Sequence, residues 1–258
     1  SERFIRASLL PNLCRAVAKN ERYYGDFAIF ETAQVFRDEN YTAPYDEREK
    51  LPSQRKNVAG AFVSAGKDVT GLFRRAKGVV EMMPRYTHME PYSFRQVSKP
   101  VWADEVVWLN IYLGEEYIGD LALLSKRVSM ACGIKNVNVM LFQLDQDALI
   151  PLRSRTNSFR HLAEYPMTDY DISLLLDGQV KWADVAQTIG GIKNPLLHGA
   201  AFVDEYRGKQ VPEGKKSLTA RLTIGSAEKT LTSAEIEEVA NSVLKKLAKR
   251  FGAELRSR

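Results

Sequence analysis

Apolar residues in the first part of the chain recur at the spacing of two amphipathic helices. Leu9, Leu10, Leu13 and Val17 share one helical face, and Ser8 stands at the N-cap position. A second helix is predicted over residues 67–83, and Pro84 is expected to end it. The apolar face of this second helix consists of Val69, Leu72, Phe73, Ala76, Val80 and Met83.

Shorter apolar runs around these helices predict β-strands. They lie at residues 24–36, 57–64, 92–97, 106–113 and 138–144. Residues 37–54 are polar and contain Pro44 and Pro52, so we predict a surface loop there. Strands and helices that mix without a regular βαβ alternation indicate an α+β domain built on an antiparallel sheet.

The remainder of the chain predicts the order β-α-β-β-α-β. The elements are strands at 170–176, 196–206 and 217–224, helices at 182–189 and from 232, and a last strand at 253–256. Thr232 and Glu235 form a capping box at the start of the second helix, and Gly252 closes it. This order is that of a ferredoxin-like domain, whose open sheet face often binds RNA, although a fold alone does not establish that use.

A segment with little apolar content separates the two patterns. Residues 149–165 contain Pro151 and three arginines, Arg153, Arg155 and Arg160. We therefore predict two α+β domains, residues 1–157 and residues 158–258.

Composition limits the class of protein without identifying it. The chain has 258 residues, of which 45% are hydrophobic and 27% are charged, as in ordinary globular domains. Its apolar runs are too short to cross a membrane, and the two cysteines, Cys14 and Cys132, are expected to be reduced core residues of a cytosolic protein. Since the chain does not begin with Met, we expect it to be a piece of a longer protein.

Positive charge is concentrated in one segment. The net charge is +5, and residues 206–221 hold five cations, Arg207, Lys209, Lys215, Lys216 and Arg221. Such a balance permits an anionic partner. A second basic run, residues 245–250, lies at the end of an amphipathic helix, where cations are favoured in any case.

Residue patterns of catalysis and metal binding are missing. His88, His161 and His198 are unclustered and match no zinc-binding spacing, and no phosphate-binding loop or nucleophile motif occurs. We predict no catalytic residue and no metal site in this chain.

Several spaced motifs resemble a known family. The runs DEYRGK at 204–209, VPEGKKSL at 211–218, TLT at 230–232 and FGAELR at 251–256 are similar to the ferredoxin-fold anticodon-binding domain of bacterial phenylalanine–tRNA ligase β subunits. Upstream, IRASLLP at 5–11, FETAQVF at 30–36 and KGVVE at 77–81 resemble the synthetase-like core of the same subunits. The two resemblances span nearly the whole chain in the family's order.

The resemblance implies a role without catalysis. In that family the β core is inert and pairs with a catalytic α subunit in an (αβ)2 heterotetramer. The α subunit uses ATP and magnesium to attach phenylalanine to its tRNA. This chain lacks the Gly-x-Gly-x-x-Arg motif of active class II synthetases and reads VMLFQLDQD at 139–147, whose carboxylates would repel ATP phosphates. No cofactor is therefore expected here.

The resemblance also implies a tRNA-binding site. Asp204, Tyr206 and Ser217 match the positions that meet the anticodon. An aromatic ring can stack on an unpaired base, and a carboxylate can accept hydrogen bonds from a guanine edge. Phosphate contacts are expected from Arg207, Lys209, Lys215 and Lys216, and Thr219 borders the site.

Three other interpretations stay open at this point. The residues 204–217 could form an ordinary solvated hairpin with one exposed tyrosine. The chain could be a single-chain ligase, which the missing arginine motif argues against, or a free-standing RNA-binding or protein-interaction paralogue. Trp102, Trp108 and Tyr112 could form a subunit interface or fill the core.

Overall fold

The chain divides into two compact units, Ser1–Asn157 and Ser158–Arg258. The computed structural model describes residues 5–43, 46–152 and 165–256, except for the side chains of residues 37–43 and 46–51. Most of the predicted connection, with Arg153, Arg155, Arg160 and His161, lies outside these ranges.

The first unit is built on a six-stranded antiparallel sheet. Its elements are α1 (Leu10–Asn20), β1 (Asp26–Ala43), β2 (Asp46–Ser64), α2 (Val69–Tyr86), β3 (Ser93–Arg95), β4 (Ala103–Leu113), β5 (Glu116–Leu124), α3 (Lys126–Ala131) and β6 (Asn138–Asp145). The strand order is β1-β2-β6-β5-β4-β3. The predicted α+β class is confirmed, although the sequence reading missed β5 and α3.

Helices pack on opposite faces of this sheet because its central strands are apolar on both sides. Leu13 and Val17 of α1 belong to a core cluster with Ala61 of β2 and Leu141 of β6. Leu72, Ala76 and Val80 of α2 belong to a second cluster with the neighbouring positions Phe62 and Met140. Adjacent residues on a strand point to opposite faces of the sheet. Helix α1 therefore packs against one set of alternate strand residues, and α2 packs against the other set.

The predicted loop at residues 37–54 is wrong. Pro44 and Tyr45 lie outside the described residues, but the backbone on both sides of them belongs to β1 and β2, and Pro52 pairs with Asn40. Among the described residues, β6 pairs with β2 from Asn57 to Ser64, so residues 46–55 have a strand neighbour on one side alone. A two-stranded ribbon needs no apolar alternation and tolerates proline, so its sequence is typical of a loop.

Pro84 does not end α2, contrary to prediction. The helix begins after Asp68, whose side chain accepts a hydrogen bond from the Gly71 amide at 2.8 Å, and it continues to Tyr86. Pro84 is buried in the last turn. Proline has no amide to donate to the carbonyl four residues earlier, and burial of its ring offsets this lost hydrogen bond.

The second unit has the predicted ferredoxin-like order. Its elements are β7 (Thr168–Asp177), α4 (Trp182–Gly190), β8 (Leu197–Tyr206), β9 (Lys215–Ile224), α5 (Ser233–Phe251) and β10 (Glu254–Leu255). They form an antiparallel sheet in the order β10-β7-β9-β8. The prediction of a βαββαβ domain is confirmed.

Both helices of the second unit cover one face of its sheet. Val185 of α4 and Val243 of α5 pack with alternate residues of β7 and β9, including Leu174 and Leu218. No helix within residues 165–256 contributes to a core on the other side. That second face is the open sheet face.

The predicted caps of α5 are confirmed. The Thr232 amide donates to Glu235 Oε2 at 2.8 Å, and the Glu235 amide donates back to Thr232 Oγ1 at 3.4 Å. Gly252 closes the helix in the left-handed region at φ 63°. Hydrogen bonds from Lys229 and from Thr232 lower the pKa of Glu235 to about 2.

Two expectations from composition concern membranes and thiols. Across the described ranges, no helix combines the length and the apolar character that crossing a bilayer requires. Cys14 is buried, Cys132 is half-buried, and both are free thiols. Burial and the neighbouring Cys132 raise the pKa of Cys14 to about 12, so it stays a neutral core residue.

Candidate nucleic-acid interface

Strand register brings most of the predicted site residues to the open sheet face. Tyr206 pairs with Ser217, and Asp204 pairs with Thr219, so these four side chains point to the same side. Arg221 and Thr223 follow at alternate positions of β9. The two strands therefore place an aromatic ring, a carboxylate and hydroxyl groups on one surface.

Tyr206 lies at the end of β8, where its ring is accessible. The residue is 41% exposed, and the guanidinium carbon of Arg256 lies 5.5 Å from the ring centroid. A β-carbon at position 208 would overlap the tyrosine hydroxyl, so the close approach requires Gly208. The ring is thus held in place while part of its surface stays open.

Asp204 and Ser217 differ in accessibility. Asp204 is exposed, and its carboxylate makes no hydrogen bond or ion pair within the described residues. Ser217 is 3% exposed because it lies in the sheet interior, between Tyr206 on one strand and Leu175 on the other. The sequence placed both at the anticodon, but the structure offers only Asp204 to a base directly.

Lys216 does not lie on the open sheet face, although the sequence predicted a phosphate contact there. Its side chain is 4% exposed, and Nζ donates to Glu205 Oε2 at 2.7 Å. Lys216 alternates with Ser217, so it points to the face that the helices cover, together with Leu218. This placement contradicts the predicted phosphate contact.

Glu205 joins two cations at the end of β8. One carboxylate oxygen accepts from Lys216, and the other accepts from Arg207 Nε at 2.8 Å. Burial opposes ionisation of this carboxyl, but the two cationic donors outweigh burial and lower its pKa. Glu205 is therefore ionised at neutral pH, and it ties Arg207 to the end of the hairpin.

The other predicted phosphate contacts are accessible to different degrees. Arg207 is exposed, but it also donates to the Gly178 carbonyl at 2.8 Å. Lys215 lies 3.6 Å from a carboxylate oxygen of Glu254. Lys209 is exposed at the hairpin tip and forms no ion pair with the part of the chain that the structure describes.

Two arginines of this face, Arg221 and Arg256, were not among the predicted site residues. Arg256 reaches the Tyr206 ring from beyond β10, at the opposite edge of the sheet, and donates to Gln210 Oε1 at 3.0 Å. Arg221 forms two hydrogen bonds of 2.7 and 2.8 Å with Asp171. Arg256 belongs to the FGAELR run of the resemblance, which was the available signal, whereas its partner depends on the strand order.

Polar pairs fill the rest of the face. The hydroxyl groups of Ser173 and Thr219 lie 3.1 Å apart, and Thr223 donates to Asp169 at 3.1 Å. Asp171 has a lowered pKa because it accepts both hydrogen bonds from Arg221. These acidic groups are engaged within the sheet, so they oppose an anionic ligand less than free carboxylates would.

The titratable side chains that could hold a metal ion, and the segment at the position of the class II arginine motif, bear on the predicted absence of catalysis. Within the described ranges, no three His, Cys, Asp or Glu side chains are grouped to hold a metal ion. The segment that replaces the class II arginine motif forms β6 and ends at Asp145, which lies 3.7 Å from Arg55. In the second unit, His198 Nε2 lies 3.2 Å from the Gly225 carbonyl oxygen, a structural contact.

Comparison with known families accounts for both units. The family model for the phenylalanyl tRNA synthetase beta chain CLM domain matches residues 2–146, which is more than half of the chain. The chain belongs to the phenylalanyl-tRNA synthetase β chain family. The model for the ferredoxin-fold anticodon binding domain matches residues 163–256 of this family member, the part that carries the open sheet face.

Curated relatives agree with the family. The chain is 28% identical to the phenylalanine–tRNA ligase beta subunit of Oceanobacillus iheyensis, over 99% of the chain and 31% of the relative. It is also 28% identical to that of Carboxydothermus hydrogenoformans, over 98% of the chain and 32% of the relative. The chain thus spans about a third of the length of these relatives.

Among solved structures, a pyrrolysyl-tRNA synthetase of Desulfitobacterium hafniense aligns with 60% of this chain and 55% of its own. The sequence identity is 16%, and the TM-score is 0.46. A similarity at this level does not bear on the function of the family member described above.

Proposed function

We propose that this chain is the part of a phenylalanine–tRNA ligase β subunit that binds the anticodon region of the tRNA and pairs with a catalytic α subunit. One observation carries the proposal. Residues 163–256 match an anticodon-binding family, and the described part of them, residues 165–256, forms a sheet with one face free of helices and an exposed Tyr206 on it. An accessible aromatic ring on an open sheet is a common means of binding single-stranded RNA.

The contacts divide by chemistry. Tyr206 stacks on an unpaired anticodon base, and Asp204 accepts hydrogen bonds from the amino and imino donors of a guanine. Lys209, Arg207 and Lys215 contact phosphates and fix the position of the RNA. Arg256 adds positive charge beside the ring, at 5.5 Å. Ser217 is buried and pairs with Tyr206 through the backbone, so it holds the strand that carries the ring. Lys216 stabilises the fold through its ion pair with Glu205.

The first unit contributes a protein contact and no catalysis. Val79, Met82 and Tyr86 are exposed at helical spacing on α2, and with Arg74 and Arg75 they line a shallow depression. An exposed apolar stripe is typical of a protein-binding surface. We assign it to an α subunit within an (αβ)2 assembly in the cytoplasm, where the α subunit uses ATP and magnesium to charge the tRNA with phenylalanine. Co-purification of the two subunits separates this function from that of a free-standing RNA-binding protein.

Replacing Tyr206 tests the site. In the complete ligase, Tyr206→Ala should weaken binding of phenylalanine tRNA by about 1–3 kcal/mol, or roughly 5- to 150-fold, because base stacking is lost. Tyr206→Phe keeps the ring and should bind as the wild type does. The measurement is a filter-binding or fluorescence titration at fixed salt concentration.

Two controls accompany this titration. Tyr23→Ala removes an exposed tyrosine of the first unit that belongs to neither proposed binding surface, and it should leave tRNA affinity unchanged. The unfolding temperature of each variant checks that the fold is intact. Equal affinity of the wild type and Tyr206→Ala would remove the site assignment.

A further inference from the structure

One face of the sheet in the first unit is apolar at one end and polar at the other. Helix α1 covers the end that carries Ala61, Val63 and Leu141, all of them fully buried. Further along the same face, alternate positions carry Asn57, Gln143 and Asp120. Register places Asn57 opposite Asp145 and Gln143 opposite Asp120, so these polar groups lie on three adjacent strands.

A pocket of about 280 Å³ lies on this polar part of the face. Its lining includes Arg55, Asn57, Asp120, Gln143 and Asp145. The floor is close-packed backbone, since a β-carbon at Gly119 would overlap the carbonyl oxygen of Gln143 on the next strand. The first unit therefore contains a concave polar site of a size that suits a small molecule.

Asn57 gives the first sign that the pocket is built for a ligand. The residue is 2% exposed, and its Oδ1 has no hydrogen-bond partner among the described residues. A buried acceptor without a partner costs about 1–3 kcal/mol, so natural proteins rarely keep one without a compensating role. Asn57 lines the pocket, so a rotation of its side-chain amide would bring this oxygen to a donor that enters there.

Asp120 gives the second sign. Asn110 Nδ2 donates to one of its oxygens at 2.7 Å, and the Tyr117 hydroxyl donates to the other at 2.8 Å. Burial raises the pKa of Asp120, and these two neutral donors only partly offset the effect. The carboxylate is thus held in position without a cation, and each oxygen keeps room for another donor.

The charges of the pocket favour a cationic guest. Arg55 contributes one positive charge, and Asp145 lies 3.7 Å from it. Asp120 and Glu116 then contribute two negative charges without a counterion within hydrogen-bonding distance in the described ranges. Anionic groups such as phosphates would be repelled, whereas an ammonium group offers three donors and a positive charge.

We propose that this pocket binds a short aliphatic amine whose primary ammonium groups meet Asp120 and Asn57. These residues lie on β5 and β2, on either side of β6, and are offset by two residues along it, so their backbones are roughly 12 Å apart. A molecule with a donor at each end can span that distance, and a single compact ion cannot. This site goes beyond tRNA binding and uses none of the residues proposed for it.

Titration with 1,4-diaminobutane tests the proposal on the full-length protein. Isothermal calorimetry should detect saturable binding of the diamine, and the uncharged 1,4-butanediol, which has the same length, should not bind. Asp120→Asn keeps the shape and loses the charge, and Asn57→Ala loses the acceptor. Each variant should weaken binding about tenfold or more, because a hydrogen bond to a charged group is lost.

Glu115→Gln is the matched control, because it also removes one negative charge from the same unit but lies outside the pocket, paired with Arg95. Its diamine affinity should equal that of the wild type. No saturable binding of the diamine, equal binding of the diol, or displacement of the diamine by millimolar Mg²⁺ would each overturn the proposal. If a variant does not fold, the calorimetric comparison of the diamine and the diol on the wild-type protein still tests the proposal.

Discussion

The two units present sheet surfaces of opposite chemistry, although both surfaces are made by antiparallel strands that helices leave uncovered. In the first unit the uncovered positions are acceptors, such as Asn57 and Asp120, gathered in a pocket. In the second unit they are an aromatic ring and hydroxyls, with arginines near the ring and Asp171 neutralised by Arg221. One surface is suited to a small cation and the other to RNA.

Strand alternation explains how one architecture supports both surfaces. A helix needs only every second residue of a strand, so the remaining positions are free to vary without loss of the core. Leu218, Ala220 and Leu222 anchor β9 in the second unit, while Thr219 and Arg221 between them face outward. The two proposed binding surfaces therefore use strand positions that core packing leaves free.

The largest expected effect is a loss of stability that is confined to the first unit. Gly119→Ala places a methyl group against the backbone of β6, so we expect the first unit to lose about 3 kcal/mol of unfolding free energy. Urea unfolding followed by amide exchange measures this loss. The second unit should keep its protection.

Gly78→Ala is the matched control. A β-carbon at position 78 of α2 meets no atom, and alanine favours a helix over glycine by about 1 kcal/mol, so this variant should be more stable. If both variants changed stability in the same direction, close approach at Gly119 would not be the cause.

A pair of lysine variants sharpens the view of the second surface. Lys216→Met removes a buried donor from Glu205 and should lower stability by about 1.5–3 kcal/mol, and the salt dependence of tRNA binding should stay that of the wild type. Lys209→Met should change stability by less than about 0.5 kcal/mol. It should also reduce the slope of log affinity against log salt by about 0.7, as expected for one phosphate contact. A salt slope that changed in Lys216→Met would contradict the assignment.

The smallest expected effect lies at the start of α5, away from both surfaces. The pKa of Glu235 falls from the ordinary 4.5 to about 2 in the folded chain. Its ionised form thus stabilises the fold above pH 4.5, and that contribution is lost as the pH falls towards 2. Glu235→Gln should therefore be less stable than the wild type near neutral pH, and the gap should narrow in acid. Thermal unfolding of both proteins across this pH range measures the gap, and a constant gap would contradict the cap.

Sequence patterns predicted the elements whose local signals agree with their packing. The capping box of Thr232 and Glu235, the closing Gly252 and the order of the second unit all rest on short-range chemistry that tertiary contacts reinforce. The extension of β1 and β2 beyond the core was not predicted, for a different reason. Among the described residues, 46–55 pair on one side only, and residues 52–55 carry no buried side chain that would mark a strand.

The candidate site was predicted in part for a similar reason. Tyr206 and Asp204 were placed on an exposed hairpin, where they lie. Lys216 was counted with the exposed cations, although its alternation with Leu218 and Ala220 already indicated the buried face. Arg256 could not be assigned, because its approach to Tyr206 depends on a strand order that only the fold establishes.

Glu205 has a consequence for the rate and strength of association. Its two oxygens bind a buried lysine and the arginine that begins the hairpin loop, so the loop conformation is fixed while the chain is free. The entropy of ordering the loop is then lost during folding and does not weaken the complex with RNA. For the proposed tRNA site, loosening this carboxylate would weaken binding, because the loop that begins at Arg207 would then be ordered only in the complex.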